Sequence, residues 1–287
     1  MGTGLSVEER LRGFLMDDIG WGDITSEALI DDGQRARGLL YYREDGVAAG
    51  LEEVATIFTI LGCEVKALEK DGSSVSSGQI LMEIEGPARA LLAGERTALN
   101  VLGRMAGIAT AVSEVAAEIA EVNPKTRVAA TRKTVPGLGK LDKRAVILGG
   151  GDSHRFRLDD CVLIKDNHLA LLPSITEAVK GARRAVSFTK KIEIEIESLE
   201  AAVEAAEAGA DIIMFDNMSP EEIGRCLTRL GELGLREERI YEASGGITSE
   251  NVGDYAASGV DVISMGSLTH SVRALDVKLE IEMLKKE

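Results

Sequence analysis

Downstream of Arg127, short β-rich runs alternate with helical segments. RVAAT precedes KLDKRAVILGG, CVLIK precedes LPSITEAVKGARRA, and KIEIEIE precedes SLEAAVEAAEAG. DIIMFDN, RIYEASGG and DVISMGS continue the series, with SPEEIGRCLTRLGEL and SENVGDYAASG between them. Six strand candidates joined by helices predict a parallel sheet with helical crossovers. A β/α barrel and an open doubly wound sheet both satisfy that rhythm. The polar residues favour the barrel, because they collect where strands end: Thr131-Arg132-Lys133, Lys165-Asp166-Asn167-His168, Glu195, Asp216-Asn217, Ser244-Gly245-Gly246 and Gly266-Ser267. In a barrel the C-terminal strand ends converge on one mouth, which holds the active site. The last two ends are small residues, suited to phosphate binding on backbone N–H groups.

Upstream the pattern is mixed. Residues 6–19 carry a helical apolar spacing with Leu11, Phe14 and Leu15 on one face. DIGWGDITS is a turn-rich connector, GLLYYRED and GVAAG are strand-like, and a helix is predicted from about Leu51 to Leu61. GCEVKALEKDGSSVSSGQILMEIEG alternates as strand, turn and strand, punctuated by Asp71-Gly72 and Gly78. From Ala88 to Ala120 the spacing predicts two helices with a break near Gly103 to Gly107.

Within the Lys191–Glu197 run, Ile192, Ile194 and Ile196 point one way and Glu193, Glu195 and Glu197 the other. On an edge strand the Glu face would be solvated. In a parallel barrel neither face is wet, so inward carboxylates need partners. A nearby cationic stretch or a bound metal–phosphate would supply them.

Charge marks where such cations lie. The 287 residues carry a net −15. Between Lys125 and Lys165, ten Lys or Arg face four Asp, a local +6 that leaves −21 for the remainder. His154 and His168, two of three histidines, fall in or beside this island. Cations so concentrated in an acidic chain imply an anionic ligand. Hydrophobic content of 45% and charge of 28% fit a soluble globular protein. No apolar run is long enough to span a bilayer, and the first residues show no apolar signal core, so a cytoplasmic protein without membrane partners is expected. The acidic balance argues against nucleic acid. Cys63, Cys161 and Cys226 fit no metal or CxxC spacing and read as reduced thiols.

The motifs GDITS, REDGVAAG, ERTALN, GIAT, TRKTVPGL, GGGDSHRFRLDD, LIKDNH, IEIEIE, AGADIIMFDN, EASGGI, YAASGVDVIS and GSLTHS occur in that order over nearly the whole chain. In this the sequence resembles the decarboxylating quinolinate phosphoribosyltransferases (nicotinate-nucleotide pyrophosphorylases). The resemblance implies a type II phosphoribosyltransferase fold. An N-terminal α/β sandwich, residues 1–107 joined by a C-terminal helix over 272–287, would precede an incomplete, seven-stranded β/α barrel over 108–271. The seventh strand has no counterpart among the six candidates above. The implied reaction joins quinolinate to phosphoribosyl pyrophosphate with Mg²⁺, giving nicotinate mononucleotide, pyrophosphate and CO2 in NAD biosynthesis. Dimers or multiples of dimers with shared active sites are implied as well.

Residue by residue, the resemblance implies that Arg132, His154, Arg155 and Lys165 bind quinolinate, with Arg96 of ERTALN donated by a partner subunit. Arg forks suit a small dianion. Lys133 and Lys165 would face phosphoribosyl pyrophosphate, Glu195 and Asp216 the ribose hydroxyls and a hydrated Mg²⁺. Ser244, Gly245, Gly246 and Gly266 would cradle the 5′-phosphate beside His270, while Asn167 and His168 shape a strand end. The chain departs from the family pattern at Gly139 and at Leu141-Asp142. Three other readings use the same residues: a ModD-like paralogue with a different acceptor, a Schiff-base aldolase using Lys165 or Lys133, and a sugar-phosphate sensor without turnover.

Overall fold

The computed structural model describes residues 5–284. The first residues of the expected 1–107 segment and the last of 272–287 therefore lie outside the described residues. The chain divides into two compact units: residues up to 111 with 140–150 and those from 272 on, and residues 112–139 with 151–271.

The first unit begins with α1 (Leu5–Ile19) and α2 (Ile24–Leu29), then β1 (Arg35–Tyr42), β2 (Gly46–Val47) and α3 (Leu51–Ile60). It continues through β3 (Glu64–Ala67), β4 (Ser74–Val75), β5 (Ile80–Pro87) and the start of α4 (Ala88–Val122). Alternate residues of β1 are buried, including Ala36, Leu40 and Tyr42, so one sheet face is core. In place of the expected break, α4 runs unbroken for 35 residues. Gly103 and Gly107 lie four residues apart on one face, where another segment approaches closely. Leu275 donates its N–H to the Gly103 carbonyl at 2.9 Å. A Cβ at Gly103 would stand 2.9 Å from the Leu275 carbonyl oxygen, and one at Gly107 3.0 Å from the Arg273 carbonyl carbon. These glycines make room for a neighbouring backbone.

In the second unit β6 (Arg127–Ala129) leads into α5 (Gly139–Leu148), most of which belongs to the first unit. There Arg104 forks onto Asp142 at 2.8 and 2.9 Å, and Arg144 pairs with Glu52, Glu53 and Asp71. Asp142, one of the departures from the family pattern, thus has a structural partner.

Next come β7 (Val162–Ile164), α6 (Asp166–Leu169), α7 (Ile175–Ala185), β8 (Ile192–Ile196) and α8 (Leu199–Ala208). Then follow β9 (Ile212–Asp216), α9 (Pro220–Glu232), β10 (Ile240–Ser244), α10 (Val252–Ala257), β11 (Val262–Ser264) and α11 (Ser267–His270). Capping sets the helix starts: Ser174 and Ser198 accept first-turn N–H groups, and Ser219 with Glu222 forms a capping box.

The six strands are parallel in the order β6-β11-β10-β9-β8-β7. Ala130 after β6 and Lys165 after β7, beyond the two sheet edges, line a single pocket. Both edges can reach one pocket because the sheet curls into an incomplete barrel. The unplaced seventh strand is a single bridge: Asp152 pairs parallel with Ala129 on the outer side of β6. One residue has no apolar run to betray it.

The C-terminal segment corrects the expected helix over 272–287. It forms β12 (Val277–Met283), antiparallel to β1, with Val277 opposite Tyr42 and Met283 opposite Ala36. Val277, Leu279, Ile281 and Met283 alternate with period two, which fits a strand. The first unit's main sheet therefore has the order β12-β1-β5-β3. No described helix is long and apolar enough to cross a membrane.

Candidate active site

A pocket of about 520 Å³ opens at the C-terminal strand ends of the second unit. Its wall falls into three sectors. Along the open seam between β6 and β7 stand Arg132, Lys133, Arg155 and Lys165. The ends of β8 and β9 contribute Glu195 and Asp216. The end of β10 contributes Ser244, Gly245 and Gly246. Gly266 and His270 adjoin this wall: a Cβ on Gly266 would meet Lys133 Cδ at 2.9 Å and His270 Cδ2 at 3.1 Å. His270 is exposed, with Nδ1 2.7 Å from Ser271 Oγ. Arg96, exposed on α4, is not among the pocket residues.

Local bonds aim each group. Thr131 Oγ1 accepts the Lys133 N–H at 3.0 Å, and Thr269 donates its hydroxyl to the Lys133 carbonyl at 2.9 Å. His168 Nδ1 accepts the Lys165 N–H at 2.9 Å, so this histidine shapes the strand end. Asn217, in the left-handed region at φ 54°, donates its side-chain amide to Asp216 at 2.9 Å and its backbone N–H to the Ser244 carbonyl at 2.9 Å. The backbone bond ties the ends of β9 and β10 together. Lys165 pairs with Glu195. Burial pushes the Glu195 carboxyl up; the Lys165 ammonium opposes this, and the nearby Asp216 and Asp166 charges add to it.

The pocket floor holds a cluster only partly anticipated. Glu193 and Glu242 face inward one layer below the mouth, 0% and 2% exposed. His154 Nε2 lies 3.4 Å from Glu193 Oε1 and 3.3 Å from Glu242 Oε2. The partner required for inward carboxylates on β8 is therefore His154 for Glu193 and Lys165 for Glu195. Glu242 was not singled out in the sequence, yet it stands two positions before Ser244 and so faces the same way. Burial opposes charge on His154, but the two carboxylates outweigh it and push its pKa up to about 10. Burial also raises Glu193, with His154 opposing and Glu242 adding to the rise. His154 Nδ1 accepts the Arg155 N–H at 2.8 Å. Nε2 is thereby turned toward the two carboxyl groups.

Linkage gives this cluster a measurable signature. A folded-state pKa above the unfolded value of 6.5 stabilises fully below 6.5, and the gain is lost as pH rises to about 10. The stability advantage of the wild type over His154→Gln should shrink across that window in urea unfolding. An advantage constant with pH would contradict the raised pKa.

Comparison with known proteins agrees with the fold. The model of the quinolinate phosphoribosyl transferase C-terminal domain matches residues 108–280, and that of the N-terminal domain matches residues 23–106. The chain is 48% identical over 275 residues to a Methanothermobacter thermautotrophicus protein named probable nicotinate-nucleotide pyrophosphorylase (carboxylating), covering 96% of this chain and 99% of that one. It is 40% identical over 254 residues to the human protein named nicotinate-nucleotide pyrophosphorylase (carboxylating), covering 88% and 85%. The crystal structure of NadC from Streptococcus pyogenes superposes with a TM-score of 0.92 at 36% identity, over 99% of both chains.

Proposed function

The chain belongs to the quinolinate phosphoribosyl transferase family, and on that premise we propose that it makes nicotinate mononucleotide from quinolinate and phosphoribosyl pyrophosphate, releasing pyrophosphate and CO2 in NAD biosynthesis. The observation that carries the reading is the three-sector pocket: cations at the seam, carboxylates at β8 and β9, small residues at β10. Quinolinate is a dianion, and Arg132, Arg155 and Lys165 offer the charge and fork geometry to hold it. His154 lies beneath them. Ser244, Gly245 and Gly246, with Gly266 and His270 beside Lys133, form a wall suited to the 5′-phosphate. Lys133 and Lys165 face the departing pyrophosphate.

Glu195 and Asp216 lie on adjacent strands at the mouth. Oxygen ligands of this kind suit Mg²⁺, which retains several waters and takes one or two carboxylates. Bound there, the ion supplies charge neutralisation to the pyrophosphate leaving group. The same carboxylates stabilise positive charge developing on the ribose ring. The pyridine nitrogen attacks the anomeric carbon without a general base. When the 2-carboxylate departs as CO2, the electron pair left on C2 is stabilised by the adjacent pyridinium nitrogen, and a proton taken from solvent completes the C2–H bond of the product.

Arg96 lies outside this pocket, and a dimer in which a second copy supplies it would complete the cation set. The three free cysteines fit a reducing, cytoplasmic setting. The relatives reported above carry the pyrophosphorylase name, which favours quinolinate over a ModD-like acceptor.

The test is turnover with phosphoribosyl pyrophosphate and Mg²⁺, following pyrophosphate and CO2 together, with nicotinate as a parallel substrate. Equal release of both products with quinolinate alone is expected. Pyrophosphate release with nicotinate and no CO2 would move the chain to another phosphoribosyltransferase activity.

A further inference from the structure

The two floor acids have no assigned part in the reaction above. Barrel interiors at this level are normally packed with branched apolar side chains. Beyond the ion-pair contact with the His154 ring, both oxygens of Glu193, one of Glu242 and the Ser264 hydroxyl are buried without a hydrogen-bond partner among the described residues. Groups so placed are costly, and replacement by apolar residues often stabilises a fold. Their presence calls for a task.

Metal binding is one candidate, since His154, Glu193 and Glu242 bring ligand atoms within 4.8 Å of one another. A metal-bound histidine normally donates its other ring N–H to an acceptor. Here Nδ1 instead faces the Arg155 N–H, and Nε2 carries a proton directed at the two carboxylates. The ring thus presents Nε2 to Glu193 and Glu242 at ion-pair distance.

What the ring holds is the loop before β7. His154 occupies the left-handed region at φ 51°, a conformation that a non-glycine residue keeps only when its surroundings impose it. Asp152 accepts the His154 N–H at 2.8 Å, and Ser153 donates its hydroxyl to the His154 carbonyl at 3.0 Å. The ring then turns back to take the Arg155 N–H. An anchored ring therefore fixes the plane of the His154–Arg155 peptide and the direction in which the Arg155 side chain leaves it. We propose that Glu193 and Glu242 are positioning residues for Arg155: by clamping the His154 ring from below, they set where the guanidinium meets a carboxylate of the substrate. This deepens the quinolinate reading and rests on it.

Neutral isosteres test the clamp. In Glu242→Gln and Glu193→Gln the KM for quinolinate should rise about tenfold, while kcat and the KM for phosphoribosyl pyrophosphate move less than about twofold. In an Arg155→Ala background the same substitutions should raise the quinolinate KM no further, because groups that act through one partner are not additive. Equal shifts in both KM values, or full additivity with Arg155→Ala, would overturn the proposal and leave the activity standing. A wild type that neither binds nor turns over quinolinate would overturn the activity reading, and the proposal with it. Should the isosteres not fold, nitrogen-15 NMR of the wild-type His154 ring decides: a proton on Nε2 held by the carboxylates is expected, and an Nε2 without a proton rules the clamp out.

Discussion

Replacing Lys165 with Met should lower kcat/KM for quinolinate turnover by about 10²- to 10³-fold, the usual cost of removing one preorganised charge from a transition state. Lys165 stands where the cationic seam meets the acidic sector and is paired with Glu195. Its loss removes a cation from the departing pyrophosphate. It also leaves Glu195, 13% exposed, beside the Asp216 and Asp166 charges without its ammonium. Breaking a half-buried pair from one side costs more than the pair contributes, because the remaining charge stays desolvated. Lys165→Arg separates this role from imine chemistry. Arg keeps the charge but cannot form a Schiff base, so a charge-only lysine should leave Arg about tenfold or more above Met. The measurement is kcat/KM for the two variants in parallel. An Arg variant as inactive as Met would revive the aldolase reading of this lysine.

How far the site was legible follows from what kind of signal each residue gave. Lys165, Glu195, Asp216 and Ser244 terminate clear strand runs, and the barrel rule converts such positions into neighbours around one mouth. Glu193 was legible through the alternation of β8, which also demanded a buried partner for it. That partner came from a loop, and loop conformation at His154 depends on a left-handed residue with no sequence signature of its own. Glu242 is readable by the same alternation in YEASGG, two positions before Ser244. At fold level two of the three differences share one cause, a contact between distant parts of the sequence. Gly103 and Gly107 look like a break because glycine is a poor helix former; their reason is the approach of residues 273–275, a contact between distant parts of the sequence. For the tail, the resemblance implies a helix, whereas Val277 to Met283 alternates as a strand. The bridge at Asp152 exists only by virtue of its neighbour, Ala129.

Gly245→Ala should raise the KM for phosphoribosyl pyrophosphate about a hundredfold and destabilise the protein by about 2–4 kcal/mol, because strain and steric conflict combine there. Gly245 has φ 93°, and a Cβ on it would stand 2.7 Å from Asn217 Cγ and 2.8 Å from the Asn217 backbone nitrogen. The side chain could rotate away, but the backbone nitrogen cannot. It is already bonded to the Ser244 carbonyl, and Asn217 is itself left-handed. Relief therefore requires the ends of β9 and β10 to part. That opens the small-residue wall and moves Asp216, the residue just before Asn217. The neighbouring Gly246→Ala is the control. Its φ of 64° carries the same kind of backbone strain, but nothing lies within 4 Å of the added carbon. It should cost only about 1 kcal/mol and leave the KM nearly unchanged. Thermal unfolding and KM of the two variants decide the matter. Equal behaviour would mean that the wall needs glycine only for its backbone angles; a penalty confined to Gly245 would mean that the contact between the two strand ends holds the phosphate wall in shape.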